Sequence, residues 1–369
     1  MKLLFFSVTK HQYRYFKILG KHLSFEYKQL FFPSLKLSFK ALQFYKKLDI
    51  EEILHKKYTE LQVKYPNPIH RWFYMQFLKM QIPLLVSTLY HELKGFSPKY
   101  IILWNGKKFH QAISVVVADF LHIDIIYFEN GLLPHTTTMD FKGVNASNSL
   151  PRTYTFYQNL HFDKNRHLPT SIIPRTNKTK QKIHHTSVKK PYIFVPFQVA
   201  YDTQILQHSP YFKNMYHLYE ILEWLCKHTS ITFVIKEHPS DRVSDYSSLH
   251  TNKHPKILFS SNNTQELIEN AEAVMSINSS VILESLLFKK RVIVLGEAFF
   301  AIDGIVKTAH SKQDILTILN HLETWETDNS VIDNFLKYLY YTYLIPHDWR
   351  DPQKEHFNAI ERRIKEHLC

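Results

Sequence analysis

Tyr192-Ile-Phe-Val-Pro-Phe-Gln-Val-Ala-Tyr-Asp-Thr-Gln-Ile205 is the stretch whose reading decides the fold. It begins with a short apolar run of aromatic and β-branched residues, the composition of a strand buried on both faces of a parallel sheet. The run then breaks into a polar segment carrying Gln198, Asp202, Thr203 and Gln204. Loops leaving the carboxyl ends of strands are where open α/β sheets bind ligands. Read locally, Asp202 and Thr203 need only cap the next helix, and the local pattern favours that reading. Upstream, the basic, apolar-poor segment from Pro174 to Lys190 reads as a linker. The strand is therefore expected to open a second domain, its polar exit facing the cleft between the two.

Composition bounds the answer. The chain has 369 residues, 44% of them hydrophobic, enough for two domains with packed cores. Its seven glycines form neither a dinucleotide fingerprint nor a P-loop. Gly106, Gly131 and Gly296 instead close apolar runs. Cys226 and Cys369 are too few and too far apart for a zinc ribbon or a disulfide framework, which fits a reducing cytoplasm. The apolar start, Met1 to Val8, lacks a small-residue cleavage site and reads as a first strand. No later run is long enough to span a bilayer, so a soluble or peripheral protein is expected. The formal charge of +13 suits anionic partners, although a biased genome explains it equally well. No nucleic-acid recognition motif is visible, and nucleic acid is not expected as a partner.

Along the chain, residues 1–8 read as a strand and the segment to about Leu61 as helices. Phe25 to Lys47, dense in aromatic and basic residues, reads as an amphipathic packing face, with an acceptor- or membrane-facing surface as the alternative. Trp72 to Glu92 is expected to be helical and kinked at Pro83, and 100–104 and 123–128 to be strands around a helix. Pro134 to Tyr157, with Asp140, Gly143, Asn145 and Arg152, reads as a long polar loop. Beyond the linker, strands and helices alternate to Leu295, the pattern of a parallel sheet, and the tail from Asp333 is helical in two pieces broken at Pro346.

Two constellations carry chemistry. Lys236-Glu-His-Pro239 follows a strand directly, so His238 is placed to hydrogen-bond a phosphate and Lys236 to add a point charge. An incidental surface histidine is the plain alternative in a chain with 23 of them. Ser276-Ile-Asn-Ser-Ser-Val-Ile-Leu-Glu-Ser285 is more specific. Ser279 or Ser280 would cap a helix whose N–H groups attract anions. Glu284 sits one turn in on an apolar helix, where ribose hydroxyls or a salt bridge to Lys289 or Arg291 would satisfy it. There is no D-x-D sequence, which points to a transferase that needs no metal.

Glu129-Asn-Gly131, Pro134…Gly143-Val-Asn145…Leu150-Pro-Arg152, Gln198…Asp202-Thr-Gln204, His238-Pro239 and Ser279-Ser-x-x-x-Glu284 occur in that order. Together they resemble the capsular polysaccharide biosynthesis proteins of Gram-negative bacteria, the retaining β-Kdo transferases (KpsS/KpsC type). The resemblance covers roughly residues 100–300. It implies a GT-B-like α/β fold, two Rossmann-like domains with parallel sheets facing a central cleft. The corresponding division is 1–185 on the acceptor side, 186–325 on the nucleotide-sugar side, and 326–369 as helices packing back toward the first domain. It implies CMP-β-Kdo as donor, with Asp202 as nucleophile and Glu129 as acid/base or acceptor-side carboxylate. His238 would hold the phosphate with Lys236 and Pro239 beside it, Ser279 and Ser280 would bind nucleotide or donor, and Glu284 the ribose. Gln198 would line the site, and Asn130, Gly131, Asn145 and Arg152 would form an acceptor or donor loop. No cofactor or metal is implied. The implied acceptor is a glycolipid or saccharide, and the implied location cytoplasmic, with peripheral association to the anionic inner membrane and other capsule-assembly proteins.

Two other functions fit the same residues less fully. An inverting sialyltransferase-like enzyme would use CMP-sialic acid on a similar fold. A non-catalytic capsule-assembly scaffold would explain the charge, but would have no use for Glu129, Asp202 and Glu284 in these positions.

Overall fold

The side chains of strand β1 (Lys2–Ser7) alternate between two apolar layers, as a pleated strand requires. Leu4 and Phe6 enter one layer, Leu3 and Phe5 the other. A computed structural model describes residues 1–32, 43–174, 190–252 and 254–368. Strand β2 (Glu26–Phe31) and β3 (Tyr100–Trp104) flank β1 in parallel, and β4 (Asp124–Asn130) runs parallel to β3. Strand β5 (Thr136–Asp140) returns antiparallel to β4, and the short strand Ile345–Pro346 pairs antiparallel with β5. Helices Pro68–Phe96 and Phe109–Phe120 cover one face of this sheet through Ile82, Leu85, Val86, Leu89, Ile113 and Val117. Helices Lys10–His22 and Lys354–Glu366 cover the other through Phe16, Leu19, Phe357 and Ile360.

The second sheet is parallel throughout. Its strands are β6 (Ile193–Pro196), β7 (Phe233–Lys236), β8 (Ile257–Phe259), β9 (Ala273–Ser276), β10 (Arg291–Val294) and β11 (Lys307–Thr308). They lie in the order β11-β10-β9-β6-β7-β8. Helices Met215–His228 and Lys312–Asn320 pack on one face, Thr264–Asn270 and Val281–Leu287 on the other. The chain is thus α/β with two Rossmann-like sheets, and among the described residues no helix is long and apolar enough to cross a membrane.

Several elements differ from their sequence reading. The segment after the first helix is not all helical: Glu26–Phe31 is an edge strand paired residue for residue with Lys2–Ser7. Its polar alternation hides it, because an edge strand needs only one apolar face. Pro134 to Tyr157 is not one loop, since it holds the fully buried strand β5, a 3-10 turn at Asn145–Ser147 and helix Tyr154–Gln158. The first sheet is consequently mixed rather than parallel. Helix Pro68–Phe96 contains Pro83 in its interior. Of Phe25 to Lys47, residues 33–42 lie outside the described part, as do residues 175–189 of the expected linker.

The two compact units are Met1–Ser149 with Tyr343–Cys369, and Leu150–Thr342. The sequence reading drew them at 185/186 and 325/326 instead. Residues 150–160 belong with the second unit because Tyr157 packs on Phe335 and Asn334 Nδ2 donates to the carbonyls of Tyr157 and Leu160. Residues 326–342 stay there for the same contacts.

Candidate functional site

The strand order of the second sheet reverses between β6 and β9, the place where open α/β sheets form a crevice at their carboxyl edge. These two strands pair only through Ile193 with Ala273 and Phe194 with Val274. Beyond the paired positions, side chains hold the strands together. Gln198 Nε2 donates to Asn278 Oδ1 at 2.9 Å, while Gln198 Oε1 accepts from the Asn278 N–H at 3.1 Å and from Ser276 Oγ at 3.2 Å. Both amides are buried. Asn278 Nδ2 in turn donates to the carbonyls of Gln204 at 2.9 Å and His208 at 3.1 Å. One asparagine thereby fastens the short helix Thr203–His208 to the sheet edge.

The His208 carbonyl also accepts from the Glu297 N–H at 2.8 Å. A side chain at position 296 would place its Cβ 2.7 Å from that carbonyl, so the approach requires glycine. This is the physical use of Gly296 beyond closing a strand.

Asp202 is the N-cap of the helix Thr203–His208, with an extended backbone and Oδ1 accepting from the Gln204 N–H at 2.9 Å. The local reading of Asp202 as a cap therefore describes what its backbone does. The side chain is exposed, and Oδ2 accepts from none of the described residues. The cap fixes the carboxylate's direction by one oxygen and presents the other.

The neighbouring strand delivers its polar residues to the same edge, because the Phe197 N–H donates to the Lys236 carbonyl at 2.9 Å. Lys236 Nζ is turned onto the Asn262 carbonyl. His238 Nδ1 accepts from the Ser240 N–H at 3.1 Å. A neutral ring accepting at Nδ1 carries its proton on Nε2, which makes Nε2 a donor. Pro239 sits inside this turn, and the buried Asp241 closes it by accepting from the Val243 and Ser244 N–H groups and from Ser244 Oγ.

At the exit of β9, Ser279 is buried and its Oγ accepts from the Val281 N–H at 3.2 Å. Ser280 precedes the helix without a side-chain cap bond, and Glu284 lies half-buried in the first turn. That helix has only seven residues. Arg291, a partner considered for Glu284, donates from Nε to the Trp325 carbonyl at 2.8 Å. Gln198, Asp202, Lys236, His238, Pro239, Ser279, Ser280 and Glu284 thus follow three adjoining strands at one edge.

In the first unit Glu129 is the penultimate residue of β4. Its Oε1 accepts from Trp104 Nε1 at 3.1 Å, from the Asn130 N–H at 2.9 Å and from Asn130 Nδ2 at 3.0 Å. Its Oε2 accepts from Asn105 Nδ2 at 2.5 Å. Donors on both oxygens hold the carboxylate in one orientation. Asn105 is buried with φ of 64°, a left-handed conformation that asparagine tolerates better than most residues. Trp349 Nε1 donates to Asn130 Oδ1 at 2.9 Å and its ring packs on Trp104 at 4.6 Å. Gly131 admits no side chain, since a Cβ would lie 2.1 Å from the Thr136 carbonyl.

Asn145 also belongs to the first unit, at φ of 54° in the turn that Asp140 organises. The buried Asp140 carboxylate accepts from the N–H groups of Lys142, Gly143 and Ser149, from Ser149 Oγ and from Tyr343 Oη. Arg152 belongs to the second unit, where its guanidinium lies over the Phe299 ring at 5.6 Å.

Asn278, Asn105, Trp104, Trp349 and Asp140 had no role in the sequence reading. Asn278 and Asn105 carried a usable signal: each is a polar residue closing an apolar run, and residues there line the carboxyl edge of the sheet. The hydrogen bond from Trp349 to Asn130 spans 219 residues and had no local signal.

Comparison with known proteins agrees with this fold. The family model described as capsule polysaccharide biosynthesis protein matches residues 157–348, just over half the chain. Protein FixF of Sinorhizobium fredii (strain NBRC 101917 / NGR234) is 31% identical over 312 residues, 84% of this chain and 76% of that protein. Among solved structures, the β-Kdo 2,7 transferase of Thermosulfurimonas dismutans KpsC matches with a TM-score of 0.51 at 13% identity, covering 99% of this chain and 100% of that one. That last likeness is one of fold, the two Rossmann-like domains of the GT-B class. On the extent of the first two matches, the chain belongs to the capsule polysaccharide biosynthesis protein family.

Proposed function

We propose that this protein is a retaining glycosyltransferase that moves Kdo from CMP-β-Kdo to a lipid or saccharide acceptor, without a metal ion. The observation that carries the reading is the carboxyl edge of the second sheet, where an oriented, exposed Asp202 carboxylate and a His238 Nε2 donor follow adjoining strands. In the first step Asp202 Oδ2 attacks the anomeric carbon of Kdo. The bond from that carbon to the phosphate oxygen breaks, and its electron pair leaves with CMP. His238 donates a hydrogen bond to the departing phosphate, and Glu284 takes the ribose hydroxyls. In the second step the acceptor hydroxyl oxygen attacks the same carbon, its proton passes to Glu129, and the Asp202 carboxylate is released. Two inversions return a β linkage.

Asp202→Asn is the decisive substitution, because asparagine caps helices as well as aspartate does. The change keeps the helix start and removes only the nucleophile. Transfer from CMP-Kdo to a panel of lipid and Kdo-terminated acceptors should be abolished, with CMP affinity in EDTA nearly unchanged. An Asp202→Asn protein that turns over normally, an α-linked product, or transfer from CMP-sialic acid alone would overturn the proposal.

A further inference from the structure

The N-terminal half of helix Pro68–Phe96 carries two faces. Met75, Leu78 and Ile82 are buried in the first unit's core. On the opposite side Ile69, Trp72, Phe73, Phe77 and Met80 are 62%, 56%, 63%, 58% and 72% exposed. At about 100° per residue these five fall on one stripe, centred roughly opposite Leu78. Large apolar side chains exposed singly are ordinary, but five on consecutive turns of one helix mark a surface meant to be covered.

The charges beside the stripe say what covers it. His70 and Lys79 are exposed along its two edges, whereas Arg71 turns to the other side, its Nη1 donating to the carbonyls of Tyr65 and Pro66 at 2.9 Å. Between Tyr65 and His91 there is no aspartate or glutamate. On the helix Glu51–Lys64, which packs alongside, Glu52 pairs with Lys56 and Glu60 with both Lys57 and Lys64, while the exposed Glu51 stands at the start of that helix. The segment that bears the stripe therefore offers the Lys79 ammonium and no acid. A second copy of this chain docking face to face would bring like charges together with nothing to pair them. An anionic bilayer would instead place lipid head groups against Lys79 and His70, with the aromatic and aliphatic side chains at the acyl boundary. Trp and Tyr favour that interfacial depth, and helices with an apolar stripe edged by bases lie in it.

We infer that residues 69–80 form an interfacial helix face that seats this protein on an anionic phospholipid surface. The inference moves the membrane contact from residues 25–47, where the sequence composition suggested it, to the start of the helix Pro68–Phe96. It stands independently of the transferase reading.

The test is co-sedimentation of the full chain with vesicles of phosphatidylcholine alone and of phosphatidylcholine with phosphatidylglycerol. The protein should partition into the phosphatidylglycerol vesicles, and less so as salt is raised. Brominated acyl chains should quench its tryptophan fluorescence, and Trp72→Phe should remove most of that quenching while binding persists. Phe73→Ser/Phe77→Ser/Met80→Ser should lower partitioning by roughly tenfold or more, since each side chain gives up its apolar transfer. All three positions are exposed, so the thermal melt should be unchanged, which separates lost binding from lost folding. Equal binding to neutral vesicles, no binding at low salt, or undiminished binding of the triple variant would overturn the inference. So would a concentration-dependent dimer that the triple variant abolishes, which would make the stripe a protein interface.

Discussion

Gln198 and Asn278, eighty positions apart in the chain, exchange two hydrogen bonds at 2.9 and 3.1 Å across the point where the ladder between β6 and β9 stops. An open sheet edge here would leave backbone and amide groups without partners in a buried place. The pair closes that edge, and through Asn278 Nδ2 it fixes the helix that Asp202 caps.

Asn278→Ala should therefore cost more than an ordinary polar truncation. It strands Gln198 Nε2 and removes a donor from the Gln204 and His208 carbonyls, the latter keeping the Glu297 N–H, and a buried unsatisfied group costs about 1–3 kcal/mol. Urea unfolding of the two proteins measures the difference. A change within about 0.5 kcal/mol, the range of surface substitutions, would show that the network carries no weight.

For His238 the expected readout is ligand affinity. His238→Ala removes the Nε2 donor and should weaken CMP binding by calorimetry, with the melt nearly unchanged. His238→Gln keeps an amide donor and should recover part of the affinity. Affinity indifferent to both changes would remove His238 from the nucleotide site.

Tyr343→Phe deletes one of the five hydrogen bonds to the buried Asp140 carboxylate. A bond to a charged group is worth about 1.5–3 kcal/mol, and chemical denaturation should show a loss of that order. Tyr341→Phe, whose exposed hydroxyl meets only the His167 carbonyl, is the control and should lose clearly less. Equal losses would mean that Asp140 has no special place in the unit.

Acid should destabilise the protein through two histidines. Burial, with Lys57 adding to it, pushes His110 down from 6.5 to about 4, and burial also lowers His356. On unfolding both return to ordinary values, so the unfolded chain binds protons that the folded chain refuses, for His110 between about pH 6.5 and 4. Stability is unaffected by these groups above that window and falls as pH descends through it. His110→Gln should flatten the decline in urea midpoint between pH 7.5 and 4.5. An unchanged slope would assign acid sensitivity elsewhere.

The strands that lie buried on both faces were legible as apolar runs, and so four of the six strands of the second sheet could be read, the short edge strands Ile257–Phe259 and Lys307–Thr308 being missed. The run 192–197 became β6, and Ala273 to Ile277 became β9, each within a residue or two of the expected ends. What escaped was structure with one apolar side or one distant partner. Glu26–Phe31 is an edge strand whose partner lies in β1, and Thr136–Asp140 is held between β4 and Ile345–Pro346, about two hundred residues away. The candidate residues were visible as polar positions after strands. The groups that orient them, Asn278 for the Asp202 helix and Asn105 with Trp104 for Glu129, became visible only as hydrogen bonds. Of the exposed stripe only residues 72–80 were read, and those simply as part of a helix, because periodicity reports a face and not what lies against it.

The tail has a further consequence, for the order in which the chain matures. The second unit is one uninterrupted segment, Leu150–Thr342, whereas the first needs Tyr343, Ile345, Phe357 and Ile360 to fill its core and cover β5. During synthesis the later segment can fold as soon as it emerges. The earlier one must wait, one face of its sheet covered only by the helix Lys10–His22, until residues 343–369 have left the ribosome.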